Sequence, residues 1–133
     1  MAEAKERGNR GEALACQRLE QAGWQILERN WRRGHSEIDI IACREETIAF
    51  IEVKTRSQNA YAPPAPAVTA GQRRRIILAA AAYLQERGLY NTGAYQPRFD
   101  VIEVVTLPGK DGRVVDYRHL ENAYDAGGLH VFI

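Results

Sequence analysis

The stretch 36–56 constrains the fold more than any other part of the chain. Ser36-Glu37-Ile38-Asp39-Ile40-Ile41-Ala42 and Thr47-Ile48-Ala49-Phe50-Ile51-Glu52-Val53-Lys54-Thr55-Arg56 are alternating apolar runs around a charged connector, Cys43-Arg44-Glu45-Glu46. That pattern predicts a β-hairpin. Period-two alternation places Glu37, Asp39 and Ile41 on one face of the first strand, with Ile38 and Ile40 on the other. On the second strand Phe50, Glu52 and Lys54 share a face, away from Ile51 and Val53. A hairpin symmetric about the Glu45/Glu46 junction sets Asp39 opposite Glu52 and Glu37 opposite Lys54. Opposed Cβ atoms lie roughly 4.5–5.5 Å apart, and like charges placed there destabilise a sheet. A shared divalent cation removes that conflict, and an oxygen-rich ligand pair suits Mg²⁺ or Mn²⁺. Lys54 adds a cation on the same face, where a phosphate or an attacking water would meet it. The hairpin reads as a metal-dependent phosphodiester-cleaving centre. Two plainer readings stand beside it. Wet faces of antiparallel strands carry charges anyway, with Glu37 and Lys54 as a cross-strand ion pair. Glu45-Glu46 is also not a favoured two-residue turn, so the register can slip by one residue.

Upstream, a helix is expected over 9–22, after a frayed start and with Gly23 as its stop. Its inward stripe is Ala15, Cys16, Leu19 and Ala22, and Glu12 lies on that stripe. A carboxylate on a buried face is costly unless paired or coordinated, although a negative charge also suits the first turn of a helix. Residues 24–31 read as a strand, followed by the polar turn Arg32-Arg33-Gly34-His35. Downstream, Pro63, Pro64 and Pro66 make 57–67 an extended loop, beginning beside Lys54 and placed to wall a cleft. Thr69 and Gln72 have capping-box spacing for a helix running to Gly88, with Ile76, Ala80, Tyr83 and Leu84 inward. Arg73, Arg74 and Arg75 crowd its first turns, against the helix dipole. An anion such as a nucleic-acid phosphate relieves that strain; a solvated basic face is the plainer alternative. Residues 97–105 read as an interior strand, with Arg98 and Asp100 as an ion pair, and 114–117 as an edge strand. The last stretch, 122–133, reads as a packed tail.

Length and composition exclude several classes. At 133 residues, 45% apolar and 26% charged, the chain is one globular domain, 1–133, with a core that needs no staples. No run approaches membrane-spanning length, and the charged amino terminus lacks an apolar signal core, so a cytoplasmic protein is expected. Two cysteines and three scattered histidines offer neither a disulfide framework nor a zinc motif. A net charge of +1 is modest for a nucleic-acid binder, but the arginines cluster on either side of the hairpin.

The ordered set Gly8-Asn9-Arg10-Gly11-Glu12, Glu37-Ile38-Asp39-Ile40-Ile41, Phe50-Ile51-Glu52-Val53-Lys54-Thr55-Arg56, Arg98-Phe99-Asp100-Val101 and Glu121-Asn122-Ala123-Tyr124 resembles the YraN-like family of predicted bacterial endonucleases. That family lies in the PD-(D/E)xK superfamily and is distantly similar to archaeal Holliday junction resolvases. The resemblance implies an α/β, restriction-endonuclease-like core, a central mixed sheet flanked by helices in the order αβββαβ. It implies a metal-dependent endonuclease acting on branched or recombining DNA, alone or as a homodimer. A non-catalytic nucleic-acid-binding module on the same fold is the alternative. Asp39 and Glu52, with the Val53 carbonyl, would hold Mg²⁺ or Mn²⁺. Lys54 would orient the attacking water or stabilise developing charge, and Glu12 would assist in positioning metal or water. Arg32, Arg33, Arg56, Gln72, Arg73, Arg74 and Arg75 are the candidate nucleic-acid contacts. The chain departs from the family pattern at Ser36, where glycine is usual, at Gln72-Arg73, where a Lys-Gln pair is common, and at Pro66, which replaces an acidic residue.

Overall fold

The first element, α1 (Ala2–Gln21), stops where Gly23 takes a φ of +92°. The Gly23 N–H donates to the Glu20 carbonyl at 3.1 Å and the Trp24 N–H to the Leu19 carbonyl at 2.9 Å, a Schellman closure. This computed structural model describes residues 2–58, 68–108, 112–127 and 129, with the backbone alone for 2–8. The helix begins well ahead of the expected residue 9. Ala15, Cys16 and Leu19 are buried as expected, whereas Ala22 lies past the last turn and is exposed.

Five strands and a second helix follow: β1 (Gln25–Arg33), β2 (Ser36–Arg44), β3 (Thr47–Ser57), α2 (Ala70–Glu86), β4 (Gln96–Thr106) and β5 (Val114–Tyr124). Arg32 and Arg33 belong to β1, so the turn before β2 is only Gly34-His35. The hairpin closes with Arg44 paired to Thr47, because Glu45 accepts a φ of +53° that a tight turn demands. Ile41 faces Phe50 and Ile40 faces Ile51, the symmetric register expected from the sequence. The sheet runs β1-β2-β3-β4-β5; the α2 crossover makes β3 and β4 parallel, and every other pair is antiparallel. The expected α/β core and αβββαβ order hold. β5 is longer than the expected 114–117, so residues 122–124 belong to an edge strand and not to a packed tail. The proline-rich loop and its role as a cleft wall fall largely outside the described residues.

The sheet is covered on both faces. α1 packs Ala15, Cys16 and Leu19 against Ile40, Ala42, Ala49 and Ile51; α2 packs Ile76, Ala80, Tyr83 and Leu84 against Ile41, Phe50 and Phe99. Each fully buried large side chain contributes roughly 1.5–3 kcal/mol. α2 starts at a complete capping box: Thr69 Oγ1 accepts from the Gln72 N–H at 3.2 Å, and Gln72 Oε1 accepts from the Thr69 N–H at 3.1 Å. On the α1 side of β4, Asp100 is fully buried yet carries four hydrogen bonds. Arg98 donates two at 2.9 Å, the Asn122 N–H one at 2.9 Å, and His119 Nε2 lies 2.8 Å away. Those bonds outweigh the burial that would raise its pKa and hold it below the ordinary 3.8. Among the described residues no helix is long and apolar enough to cross a membrane.

A candidate metal centre at a fork in the sheet

The β2–β3 ladder ends at Ile40 and Ile51. Beyond it β2 continues beside β1, to Arg33 and Ser36, while β3 continues beside β4, to Ser57 and Thr106. The sheet therefore splits into two arms, and Asp39 and Glu52 are the first residues past the split. In place of a ladder bond, the Val53 N–H donates to Asp39 Oδ2 at 2.8 Å. Side-chain alternation also breaks here. Ile38 joins the α2-side core and Ile40 the α1-side core, so the expected common face for these two isoleucines is wrong. Strand periodicity presumes an unbroken ladder, and β2 loses its second partner at Asp39.

Asp39 and Glu52 lie within hydrogen-bonding reach of each other. Burial first, then the Glu52 charge and those of Glu12 and Glu37, push Asp39 up to about 8 against the pull of the Val53 N–H. Burial also raises Glu52, although Lys54 and the hydrogen bond from Asp39 oppose it. Lys54 Nζ stands 3.5 Å from Glu52 Oε1. Glu37 instead meets Arg32 at 3.2 Å, which corrects its expected pairing with Lys54: past the split the two residues lie on different arms.

Glu12 arrives from α1, half-buried on its inward stripe. Burial raises its pKa, and a hydrogen bond from Asn30 lowers it. With the amide oriented to satisfy its neighbours, the Asn30 nitrogen donates to Glu12 Oε2 at 3.1 Å and Glu37 Oε1 at 3.0 Å. Asn30 adopts a φ of +52°, a left-handed conformation that asparagine tolerates better than most residues. Sequence reasoning missed it, and its only signal was a polar residue interrupting a strand. α1 can come this close because Gly11 has no side chain; a Cβ there would lie 2.1 Å from Thr55 Oγ1.

The α2 side of the fork carries both signs of charge. A cavity of about 170 Å³ is lined by His35, Ser36, Glu37, Glu52, Gln72, Arg75 and Ile76. Arg73 is half-buried, donates to the Val68 carbonyl at 2.9 Å and lies over the Tyr124 ring. Arg74 is exposed and lines a groove with Ile77, Asp125 and Ala126, and the first turn contains no acidic residue. The other basic candidates have carboxylate partners: Arg32 with Glu37, Arg33 with Glu86 of α2, and Arg56 with Glu103 at 3.4 Å. The structure thus brings together Glu12, Asp39, Glu52, Lys54, Gln72 and Arg75 around one fork. It does not gather Arg33 or Arg56 there with free charges.

Among the described residues no three Asp, Glu, His or Cys side chains gather as a metal-binding group. The donors are the carboxylate pair, to which the Val53 carbonyl would add a main-chain oxygen. Two neighbouring carboxyls, each raised by burial, form a hard, all-oxygen donor set of the kind a divalent cation completes.

A family model described as "Uncharacterised protein family UPF0102" matches residues 11–104. A UPF0102 protein of Clostridium perfringens (strain 13 / Type A) is 49% identical over 94 residues, which are 71% of this chain and 75% of that one. One from Chlorobium chlorochromatii is 42% identical over 121 residues, 90% of this chain and 91% of the relative. One from Myxococcus xanthus is 39% identical over 127 residues, 95% and 94% of the two chains. Among solved structures, Pyrococcus furiosus SfsA in complex with Ca²⁺ matches with a TM-score of 0.42 and 17% identity, over 89% of this chain and 63% of that one. The chain belongs to the UPF0102, YraN-like family.

Proposed function

We propose that this protein is a metal-dependent endonuclease that hydrolyses DNA phosphodiesters, selecting branched or recombining DNA by structure. The observation that carries the reading is the Asp39–Glu52 pair at the fork, with Lys54 beside Glu52 at 3.5 Å. A fold has no stability reason to bury two mutually repelling carboxyls beside one another. Mg²⁺ or Mn²⁺ on Asp39, Glu52 and the Val53 carbonyl would polarise the phosphodiester and make bound water more acidic. Lys54 sits where an ammonium orients water and offsets charge gathering on the phosphate. Glu12, held by Asn30, adds a carboxylate from the opposite layer to position that water. Gln72 and Arg75 line the cavity through which a phosphate backbone would reach the fork. A four-way junction needs two cuts, which two copies of the chain would supply.

The test is cleavage of labelled four-way junction, flap and single-stranded DNA with Mg²⁺, Mn²⁺ or EDTA. Cleavage should require metal, vanish in Asp39→Ala and Glu52→Ala, and fall about a hundredfold or more in Lys54→Ala. Unchanged cleavage in the two carboxylate variants would refute the site. Salt-dependent binding without any metal-dependent cleavage would instead identify a non-catalytic nucleic-acid-binding module.

A further inference from the structure

β5 has β4 on one side and, among the described residues, no strand on the other. Asp116 to Leu120 pair without interruption with Val105 to Val101, and the register shifts at either end of that stretch. An open edge offers N–H and C=O groups to any strand that can approach, and charged side chains are a common means of keeping one away. Here the charges are self-complementary. Asp116 and Arg118 flank Tyr117, with Arg118 Nε 3.1 Å from Asp116 Oδ2. The other Asp116 oxygen accepts from the Tyr117 N–H at 2.9 Å, so a side chain serves that N–H in the middle of the edge. Antiparallel pairing of the edge with itself about Tyr117 sets Tyr117 against Tyr117 of a second copy. Asp116 of each copy then faces Arg118 of the other. Opposed Cβ atoms lie roughly 4.5–5.5 Å apart, close enough for opposite charges to attract. Centring the pair on Asp116 or on Arg118 sets like charges face to face, so the pattern selects one register. Just past the regular stretch, Val114 and Val115 of each copy come beside Leu120 of the other. These are three of the four large apolar side chains exposed among the described residues, at 38%, 42% and 42%, so exposed apolar surface gathers at this edge.

We propose that β5 is a docking edge for a second copy of this chain, which adds its own β5 antiparallel across a two-fold axis at Tyr117. The contact is isologous: each copy offers the same residues, and each Asp116–Arg118 match occurs twice. Main-chain hydrogen bonds join the two sheets, and the charges and apolar ends fix the register. A ladder this short buries little area, which places the dimer among weak, concentration-dependent associations. The seam uses no residue of the fork and needs no nucleic acid, so it goes beyond the nuclease reading and does not rest on it.

The test is sedimentation of the full-length protein, without nucleic acid, over a rising concentration series. The mass should move from that of one chain towards that of two, and hydrogen exchange over 116–120 should slow across the same range. Arg118→Asp sets carboxylates against each other twice across the seam and should weaken the dimer about tenfold or more. Combining it with Asp116→Arg exchanges the signs and should restore the affinity to within about threefold of the unaltered protein. Both side chains reach solvent, so urea unfolding midpoints should stay close to that of the unaltered protein, which separates lost pairing from lost fold. A mass of one chain at concentrations up to about 1 mM overturns the proposal. So does a dimer that Arg118→Asp leaves as strong, or one whose exchange protection falls outside 116–120. Metal-dependent DNA cleavage, present or absent, bears on the fork and not on the seam, so the two readings fail separately.

Discussion

Asp39→Asn should make this protein more stable while removing its metal site. The asparagine oxygen can still accept from the Val53 N–H, which Asp39 Oδ2 meets at 2.8 Å, so the geometry of the fork is kept. What disappears is a carboxyl that burial and the Glu52 charge hold up to about 8. A raised carboxyl pKa means that the folded state binds the proton more tightly than the unfolded chain. Stability from this group is then fully present below the unfolded pKa near 3.9, and is lost as pH rises towards the folded value. At about 1.4 kcal/mol per pH unit the ceiling is about 5 kcal/mol at pH 8. Water entering the open fork reduces this, so about 1–3 kcal/mol is expected. Urea unfolding in EDTA should give nearly equal stabilities near pH 4 and a growing advantage for Asp39→Asn between pH 5 and 8. Added Mg²⁺ should stabilise only the unaltered protein, by mass action. Parallel stability curves from pH 4 to 8, or a variant that is less stable throughout, would show that the two carboxyls do not burden the fold.

Three further outcomes are expected. Because Asp39 must give up its proton to a cation, Mg²⁺ affinity measured by calorimetry should fall as pH drops below about 8, with proton release on binding. Asp100→Ala should cost about 1–3 kcal/mol in urea unfolding, since Arg98, His119 and the Asn122 N–H lose their buried acceptor, although Arg98 keeps Glu121 at 3.6 Å. The lowered pKa of Asp100 also means that its contribution is present above the unfolded value near 3.9 and is lost as pH falls through the folded one, so acid unfolding should be shallower in Asp100→Asn. Gly11→Ala would gain about 1 kcal/mol in an open helix. Here its Cβ meets Thr55 Oγ1 at 2.1 Å, so a net loss of about 1–3 kcal/mol is expected, with partial recovery in the double variant with Thr55→Ala.

The hairpin was legible because turn, alternation and register are local properties. That Asp39, Glu52 and Lys54 are neighbours was legible from spacing alone. Glu12 was legible as a carboxylate on an apolar stripe, although only the tertiary fold shows that α1 reaches the fork through Gly11. The fork itself was not legible. Nothing in Ile38-Asp39-Ile40 announces that the strand exchanges neighbours there, so Ile38 was assigned to the wrong face and Glu37 to the wrong cation. Asn30 escaped for a related reason. It reads locally as a polar residue in a strand, and its contact with Glu12 depends on α1. β5 read as short because its last residues bulge where Asn122 turns in to Asp100, and that breaks the periodicity by which strands are recognised.

The two-residue turn at Glu45 and Glu46 also bears on the order of assembly. Asp39 and Glu52 meet through the shortest loop that a strand pair allows, a closure on the order of microseconds. The parallel pairing of β3 with β4 must wait for α2 to form and dock, since long loops close at a higher entropic cost. A repulsive carboxyl pair is therefore brought together by a fast-forming element. Lys54 comes with β3, but the helices that bury the pair dock afterwards, so early in folding the nascent hairpin carries its carboxyl pair exposed to water, and only later does the chain commit it to burial.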